Sequence, residues 1–378
     1  MNIEKIYLDE AVEEAPLSRR VLERLKGVPV EKIRDRDRFL KETQSFSLTQ
    51  GKKNMWLTEF KGPLLKPCPG TDRNYLCCNY WVINAQTNCP LDCTYCILQT
   101  YLNQPLLTLY ANLEEVSEEI ETLAASRPRR LFRIGTGELT DSLALNPFTG
   151  ITEDLTRRVR AKNVLLEFKT KTDFVGHLPS LSRRNGVLSW SVNPPEIIRE
   201  EEFKSAPLEA RLEAARRAVA KGYRIGFHLD PILEIPEWEK SYQGLIRELT
   251  RSVPEKEVAW ISFGSLRFPP ALKGVIDERF PKSRIATGEL VSGLDGKMRY
   301  FRPVRTSMYQ KTYAWMREQW KEVFIYFCME NDVVWREVMG FSPEDNGHLD
   351  CLFHESLYHR FPDLELSKPE RHDYGSNN

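Results

Sequence analysis

From residue 79 to about 263 the chain alternates short runs of β-branched, aromatic and leucine residues with longer stretches whose apolar positions recur every three or four residues. The runs at 80–85, 131–134, 164–168, 187–192, 223–229 and 258–263 predict strands. Helices are predicted between most of them, most clearly at 207–221. There Leu208, Leu212, Ala215 and Val219 share one face, Ser205 and Pro207 begin the element and Gly222 ends it. Six strands alternating with helices predict an α/β fold: a parallel sheet curled into a partial, TIM-like (β/α)6 barrel spanning 61–283. Residues 1–60 are charged and read as a helical extension, with a helix over 17–25. The alternating run from Glu31 to Arg38 reads as a solvated helix face or a connector. Beyond the barrel, 284–378 forms a C-terminal hairpin and helical cap. Turn residues Gly293 to Gly296 lie between two strand-like arms, 308–340 is helical up to Gly340, and the polar tail 371–378 is expected to be disordered.

The polar chemistry collects where the predicted strands end: Thr87-Asn88-Cys89, Gly135-Thr136-Gly137-Glu138, Lys169-Thr170-Lys171, Ser191-Val192-Asn193, His228-Leu229-Asp230 and Phe263-Gly264-Ser265. In a β/α barrel these ends converge on one mouth. The first leads into Cys89-Pro-Leu-Asp-Cys93-Thr-Tyr95-Cys96. Three cysteines at this spacing can bind three irons of a [4Fe–4S] cube and leave the fourth iron open, whereas ferredoxin and zinc sites supply four protein ligands. Zinc completed by a distant Cys or His is the alternative. Cys68, Cys77 and Cys78 lie close by in sequence, as ligands of a second metal or as small buried residues beside the site. His348, Cys351 and His354 would share one helical face, yet they lack an obvious fourth ligand.

Charge narrows the partners. Lys+Arg and Asp+Glu both number 54, so a nucleic-acid surface has to be a local patch. The arm from Lys297 to Arg305 is a candidate, because its arginines can pair with phosphates while Tyr300 and Phe301 stack on bases; the bland reading is an ordinary exposed hairpin. The N-terminus is acidic where a signal peptide needs an apolar core, and no run approaches the length of a membrane span. A cytosolic protein without a membrane partner is expected, and its eight cysteines then favour metal chemistry over disulfides.

The cysteine loop resembles the signature of the radical S-adenosylmethionine (SAM) superfamily. There the open iron is chelated by the amino and carboxylate groups of SAM, which is reductively cleaved to a 5′-deoxyadenosyl radical. Within that superfamily, the run from Cys89 to Thr100 resembles the spore photoproduct lyases. The likeness continues through Lys169-Thr-Lys171, Ser191-Val-Asn193, Gly222-Tyr223, His228-x2-Pro231, Glu237-Trp238, Arg267-Phe268, Pro281-Lys282 and Tyr309-Gln310-Lys311. The resemblance implies a radical SAM barrel and a lyase that reverts a methylene-bridged thymine dimer in photodamaged DNA. It implies a [4Fe–4S] cluster on Cys89, Cys93 and Cys96. SAM would lie among Tyr95, Gly135, Thr136, Gly137, Glu138, Thr140, Lys171, Ser191 and Asn193. DNA would lie against Arg267, Arg299, Tyr300, Phe301, Arg302 and Lys311, with the hairpin wedged into the duplex, and a flavodoxin or ferredoxin would supply electrons.

Two positions depart from the family. Its hydrogen-donor cysteine falls in the stretch that here runs from Gly135 to Asp141 without a cysteine, and Glu138 stands in its place. Its tyrosine after the third cluster cysteine is Ile97 here. Cys77, Cys78, Cys328 or a tyrosine facing the mouth are the candidate replacements. The expected function is therefore a radical SAM lyase acting on thymine photoproducts. The alternatives are the same radical acting on another substrate, and a non-catalytic, metal-stabilised nucleic-acid-binding protein.

Overall fold

The computed structural model describes residues 2–70, 74–181 and 185–375. The six predicted barrel strands are present as β1 (Trp81–Ile83), β2 (Phe132–Gly135), β3 (Val164–Thr170), β4 (Gly186–Ser191), β5 (Arg224–Ile232) and β6 (Val258–Ser265). They lie side by side in chain order and pair in parallel. A seventh strand, β7 (Phe324–Phe327), extends the run by pairing in parallel with β6, Trp260 opposite Phe324. At the other edge Leu65–Pro67 pairs antiparallel with β1. The sheet is curled, and its strands are buried on both faces, as parallel strands with crossover helices require.

β7 corrects the expectation of continuous helix over 308–340. The segment holds helices Arg302–Gln319 and Asp332–Met339 on either side of the strand, the second ending at Gly340 in the left-handed region. Phe324-Ile-Tyr-Phe327 is a short buried run, and such runs are ambiguous by periodicity alone. Pairing with a strand sixty-odd residues upstream decides it. The tail is corrected as well: Arg371–Tyr374 forms a 3-10 turn, and Tyr374 is buried, its hydroxyl accepting from the Leu131 N–H at 2.9 Å. The last three residues of the predicted tail, 376–378, lie outside the described residues.

The first sixty residues are more than a helical extension. Helix Pro16–Arg24 is present, but Lys5–Asp9, Val30–Ile33 and Asn54–Thr58 are strands. They join Leu107–Tyr110 and Gln86–Thr87 in a five-stranded sheet. Those last two strands flank the cysteine loop, so the N-terminal segment buttresses it. Buried Lys52 makes the contact directly, donating to the Leu91 carbonyl at 2.6 Å and to Asp92 at 3.1 Å.

Two features close the barrel. One antiparallel bridge, Leu76 to Glu330, ties the segment entering β1 to the segment leaving β7, the two ends of the parallel run. Helix Asn346–Arg360 then packs against the barrel, with Asp350 pairing Arg130 at 2.9 Å and Arg133 at 3.3 Å. The Arg133 guanidinium lies 3.4 Å from the Phe353 ring centroid and also donates to the Cys78 carbonyl. Removing one partner of a buried ion pair strands the other charge, at a cost of about 3–5 kcal/mol. Asp350→Ala is therefore expected to lower unfolding stability by about that amount in denaturant titrations. A loss well under 1 kcal/mol would show that the helix is not held this way.

Candidate active site

The cysteine loop is built before any metal is considered. Asn88 takes a positive φ, and its amide accepts from the Cys89 N–H at 2.8 Å while donating to the Pro105 carbonyl at 2.6 Å. Asp92–Cys93 pairs antiparallel with Glu202–Phe203, Cys93 opposite Glu202. The Gln99 amide donates to the carbonyls of Cys93 and Thr94. The three thiols are within electrostatic reach of one another. Burial raises all three, Cys93 to about 12 against the opposing charge of Lys171, while Lys52 acts on Cys89 and Cys96. A metal centre here has to displace protons from these thiols, and the two lysines offset the negative charge that results. The donor set, three soft sulfurs in one loop beside two cations, fits an iron–sulfur cluster.

Three of the residues expected around SAM meet beside this loop. Lys171 at the end of β3 donates to the Tyr95 hydroxyl at 2.9 Å, and the Asn193 amide lies 3.5 Å from that hydroxyl. Both converge on a residue that the sequence reading missed. Glu202 accepts from Lys171 at 3.0 Å, Asn193 at 2.9 Å, Arg211 at 2.7 Å and the Tyr95 hydroxyl. Burial alone would raise its carboxyl, but the charges of Lys171 and Arg211 outweigh burial and hold it well below the usual range. Arg211 was missed too, although it carried a signal. At three residues after Leu208 and four before Ala215 it sits on the apolar stripe of its helix, where a charge needs a buried partner. It also donates to the Ser191 carbonyl at 2.8 Å.

The glycine motif lies across the mouth. A Cβ on Gly135 would fall 2.0 Å from the Tyr80 hydroxyl and 2.3 Å from the Glu167 carbonyl, and one on Gly137 would fall 2.6 Å from the Lys169 Cβ, so both positions exclude a side chain. Thr136 bonds Ser142 at 2.8 Å, Glu138 pairs with Lys169 at 2.9 Å, and Thr140 is buried. Asp141, also missed, anchors the loop. It accepts from the N–H groups of Leu143, Ala144 and Lys171 and from the Thr170 hydroxyl. Deeper in the barrel Glu167 accepts from Ser189, His228 and Trp260. His228 is therefore part of an internal network, and Asp230 pairs with Arg267 at 2.9 and 3.0 Å.

The residues proposed for DNA do not all face outward. Arg299 is buried, bonded to Asp295 at 2.6 Å and stacked over Tyr75, and Tyr300 is buried with its hydroxyl accepting from the Glu234 N–H. These two hold the sheet that Met298–Tyr300 forms with Arg267–Phe268 and Leu290–Ser292. Arg302 is exposed, as are Phe301 at 58% and Leu294 at 71% on the same hairpin, whereas exposed Lys311 pairs with Glu239. Among the candidate donors, Cys77 and Cys78 lie in the segment tied to Glu330, and Cys328 directly follows β7. His348, Cys351 and His354 point to separate partners, Glu344, Glu355 and Tyr374. No group of three or more His, Cys, Asp and Glu among the described residues is set around a single metal ion.

Comparison with known proteins agrees with this arrangement. The family model described as "Spore photoproduct lyase" matches residues 75–323. The spore photoproduct lyases of Geobacillus sp. (strain Y412MC61) and Bacillus subtilis (strain 168) are 29% and 27% identical over 215 residues. Each match covers 55% of this chain and 63% of the relative, a little under two thirds of its length. Among solved structures, a point variant of spore photoproduct lyase superposes with a TM-score of 0.75 at 20% identity, covering 86% of this chain and 98% of that one. Another variant, with bound AdoMet and dinucleoside spore photoproduct, superposes at 0.74 with 21% identity and the same coverage. At these identities the superpositions speak for the fold. With a family model spanning the barrel from the segment before β1 to the threshold of β7, the chain belongs to the spore photoproduct lyase family.

Proposed function

We propose that this chain is a radical SAM lyase that reverts the spore photoproduct in DNA to two thymines. The observation that carries the reading is the meeting of three buried thiols in one loop with Tyr95, Lys171 and Asn193 around Glu202, at the mouth of a barrel of this family. The curated relatives are spore photoproduct lyases, and a solved structure of that enzyme holds AdoMet and the dinucleoside lesion.

Cys89, Cys93 and Cys96 would hold a [4Fe–4S] cluster whose fourth iron has no protein ligand. With SAM bound there, the pair would supply a 5′-deoxyadenosyl radical able to abstract hydrogen from the lesion. The chain's own residues do the positioning. Glycines at 135 and 137 let a ligand approach the β2 backbone, and the buried Glu202 fixes the Lys171 ammonium and the Tyr95 ring beside the cysteine loop. Phe301, Arg302 and Leu294 are the exposed hairpin side chains available to a nucleic acid. A one-electron reductant of the flavodoxin or ferredoxin class belongs to the reading, because the cluster must be reduced before SAM is cleaved. Glu138 in place of the family's thiol favours a second reading, the same radical on a different substrate.

Cys93→Ala is expected to remove nearly all of the broad visible absorbance of anaerobically reconstituted protein, whereas Cys351→Ala, which alters a thiol bonded to Glu355, leaves it intact. A Cys93→Ala protein that keeps the absorbance would overturn the cluster assignment. The function itself is tested by giving reconstituted protein SAM, a reductant and DNA carrying the spore photoproduct. The reading expects 5′-deoxyadenosine and restored thymine together; 5′-deoxyadenosine without thymine would favour the second substrate.

A further inference from the structure

Resting on that reading, one step has no assigned residue. Once the methylene bridge breaks, a carbon radical remains on one base and must receive a hydrogen atom. Among side chains the thiol S–H is the weakest bond to hydrogen; the N–H groups of Lys169 and the O–H of a protonated Glu138 are far stronger. The donor is therefore sought among the cysteines outside the cluster loop.

Their positions separate them. The Cys77 backbone N–H bonds Asn346 at 2.7 Å, on the side of the C-terminal helix. The Cys78 thiol has Cys77 and Arg133 as neighbours, and Arg133 is committed to Asp350 and Phe353 away from the mouth. The Cys68 N–H bonds the Tyr80 carbonyl, at the N-terminal end of β1. Cys351 faces Glu355. Cys328 is the first residue beyond the C-terminal end of β7, the end where the other strands carry Glu138, Lys169 and Asp230. Its N–H bonds the Phe263 carbonyl of β6 at 3.0 Å, and the residue is partly exposed. Its thiol lies within electrostatic reach of Arg267, Asp230, Cys78 and Glu138, and of Lys169.

A second observation points to the same space. The Tyr80 hydroxyl is buried and makes no direct hydrogen bond, and it projects toward Gly135 with the Lys169 ammonium 5.7 Å from its ring. A buried hydroxyl left unsatisfied at a mouth is a place for a ligand's polar group.

We propose that Cys328 donates the hydrogen atom that completes the reaction, from the opposite side of the mouth to Glu138, with the Tyr80 hydroxyl facing the space between. In this step a C–H bond forms as the S–H bond breaks, leaving a thiyl radical on Cys328. One electron from the low-potential donor that the cluster already requires, with one proton from solvent, restores the thiol. Burial raises the Cys328 thiol to about 12 despite the opposing charge of Arg267, so the S–H bond is intact at neutral pH.

The test uses the full chain, reconstituted anaerobically, with SAM, a chemical reductant and dinucleoside spore photoproduct in D2O. Thiol hydrogens exchange with solvent, so the wild-type chain is expected to return thymine carrying one solvent deuterium. Cys328→Ala should still form 5′-deoxyadenosine within about twofold of wild type while thymine falls at least about tenfold, and Cys328→Ser, which preserves the volume, should do the same. Full thymine yield with deuterium from Cys328→Ala overturns the assignment and leaves the radical reading standing. A wild-type chain that returns no thymine overturns the reading, and the inference with it. Independently of turnover, the dinucleoside should slow alkylation of Cys328 in SAM-loaded, unreduced protein, read by peptide mass spectrometry. An unchanged rate counts against Cys328.

Discussion

A carboxylate withdrawn from water has to be matched on every side, and Glu202 is. Its side chain and that of Arg211 are fully buried, and each of its neighbours comes from a different part of the chain: Lys171 from the end of β3, Asn193 from beyond β4, Arg211 from the helix at Leu208–Ala220 and Tyr95 from the cysteine loop. Its backbone lies opposite Cys93. The cysteine loop is thereby placed over the barrel by a buried charge, not by its own conformation alone. Lys52 performs the matching task from the N-terminal sheet, holding Asp92 and the Leu91 carbonyl. The loop is gripped from two sheets at once, which explains why the first sixty residues are integral to the site.

How much of this was legible follows from what each feature depends on. Strands β1 to β6 were readable because each is a local run of strand-forming residues followed by a polar strand end. The cysteine spacing was readable because it is contiguous. The strands at Lys5–Asp9 and Val30–Ile33 were not, because their charged residues dominate four- and five-residue segments whose partners lie far away. Glu202 was hidden at the end of an acidic run, Glu200-Glu201-Glu202, that reads as a solvated face. Its role exists only once Arg211 and Lys171 are folded beside it. Arg299 and Tyr300 show the converse. Their composition suggested a surface for nucleic acid, and packing turned both inward.

The cations at the mouth share a property with the whole chain, whose positive and negative residues are equal in number. Lys169 is matched by Glu138, Lys171 by Glu202 and Arg267 by Asp230. Cations already neutralised by fixed carboxylates release few counterions to an approaching polyanion, so they contribute little to salt-dependent attraction. What they provide is a polar lining with fixed directions, suited to orienting a group that has already arrived. Attraction and wedging then fall to the exposed hairpin side chains outside the mouth.

The exchange of a thiol for Glu138 is best understood through Lys169. Burial works against the ammonium, and the carboxylates of Glu138 and Glu167 overcome it and raise its pKa. Glu167, however, is already shared among His228, Ser189 and Trp260. A neutral thiol at position 138 would leave Lys169 without its ion-pair partner, beside the ring of Tyr80 and a carboxylate committed elsewhere. The carboxylate at 138 and the lysine at 169 therefore belong together as a structural pair, and a residue that neutralises a buried charge cannot also serve as a source of hydrogen atoms. A chain that keeps this pair on one side of the mouth needs its reactive thiol on another, and the end of β7, the strand added beyond the six read from sequence, carries one.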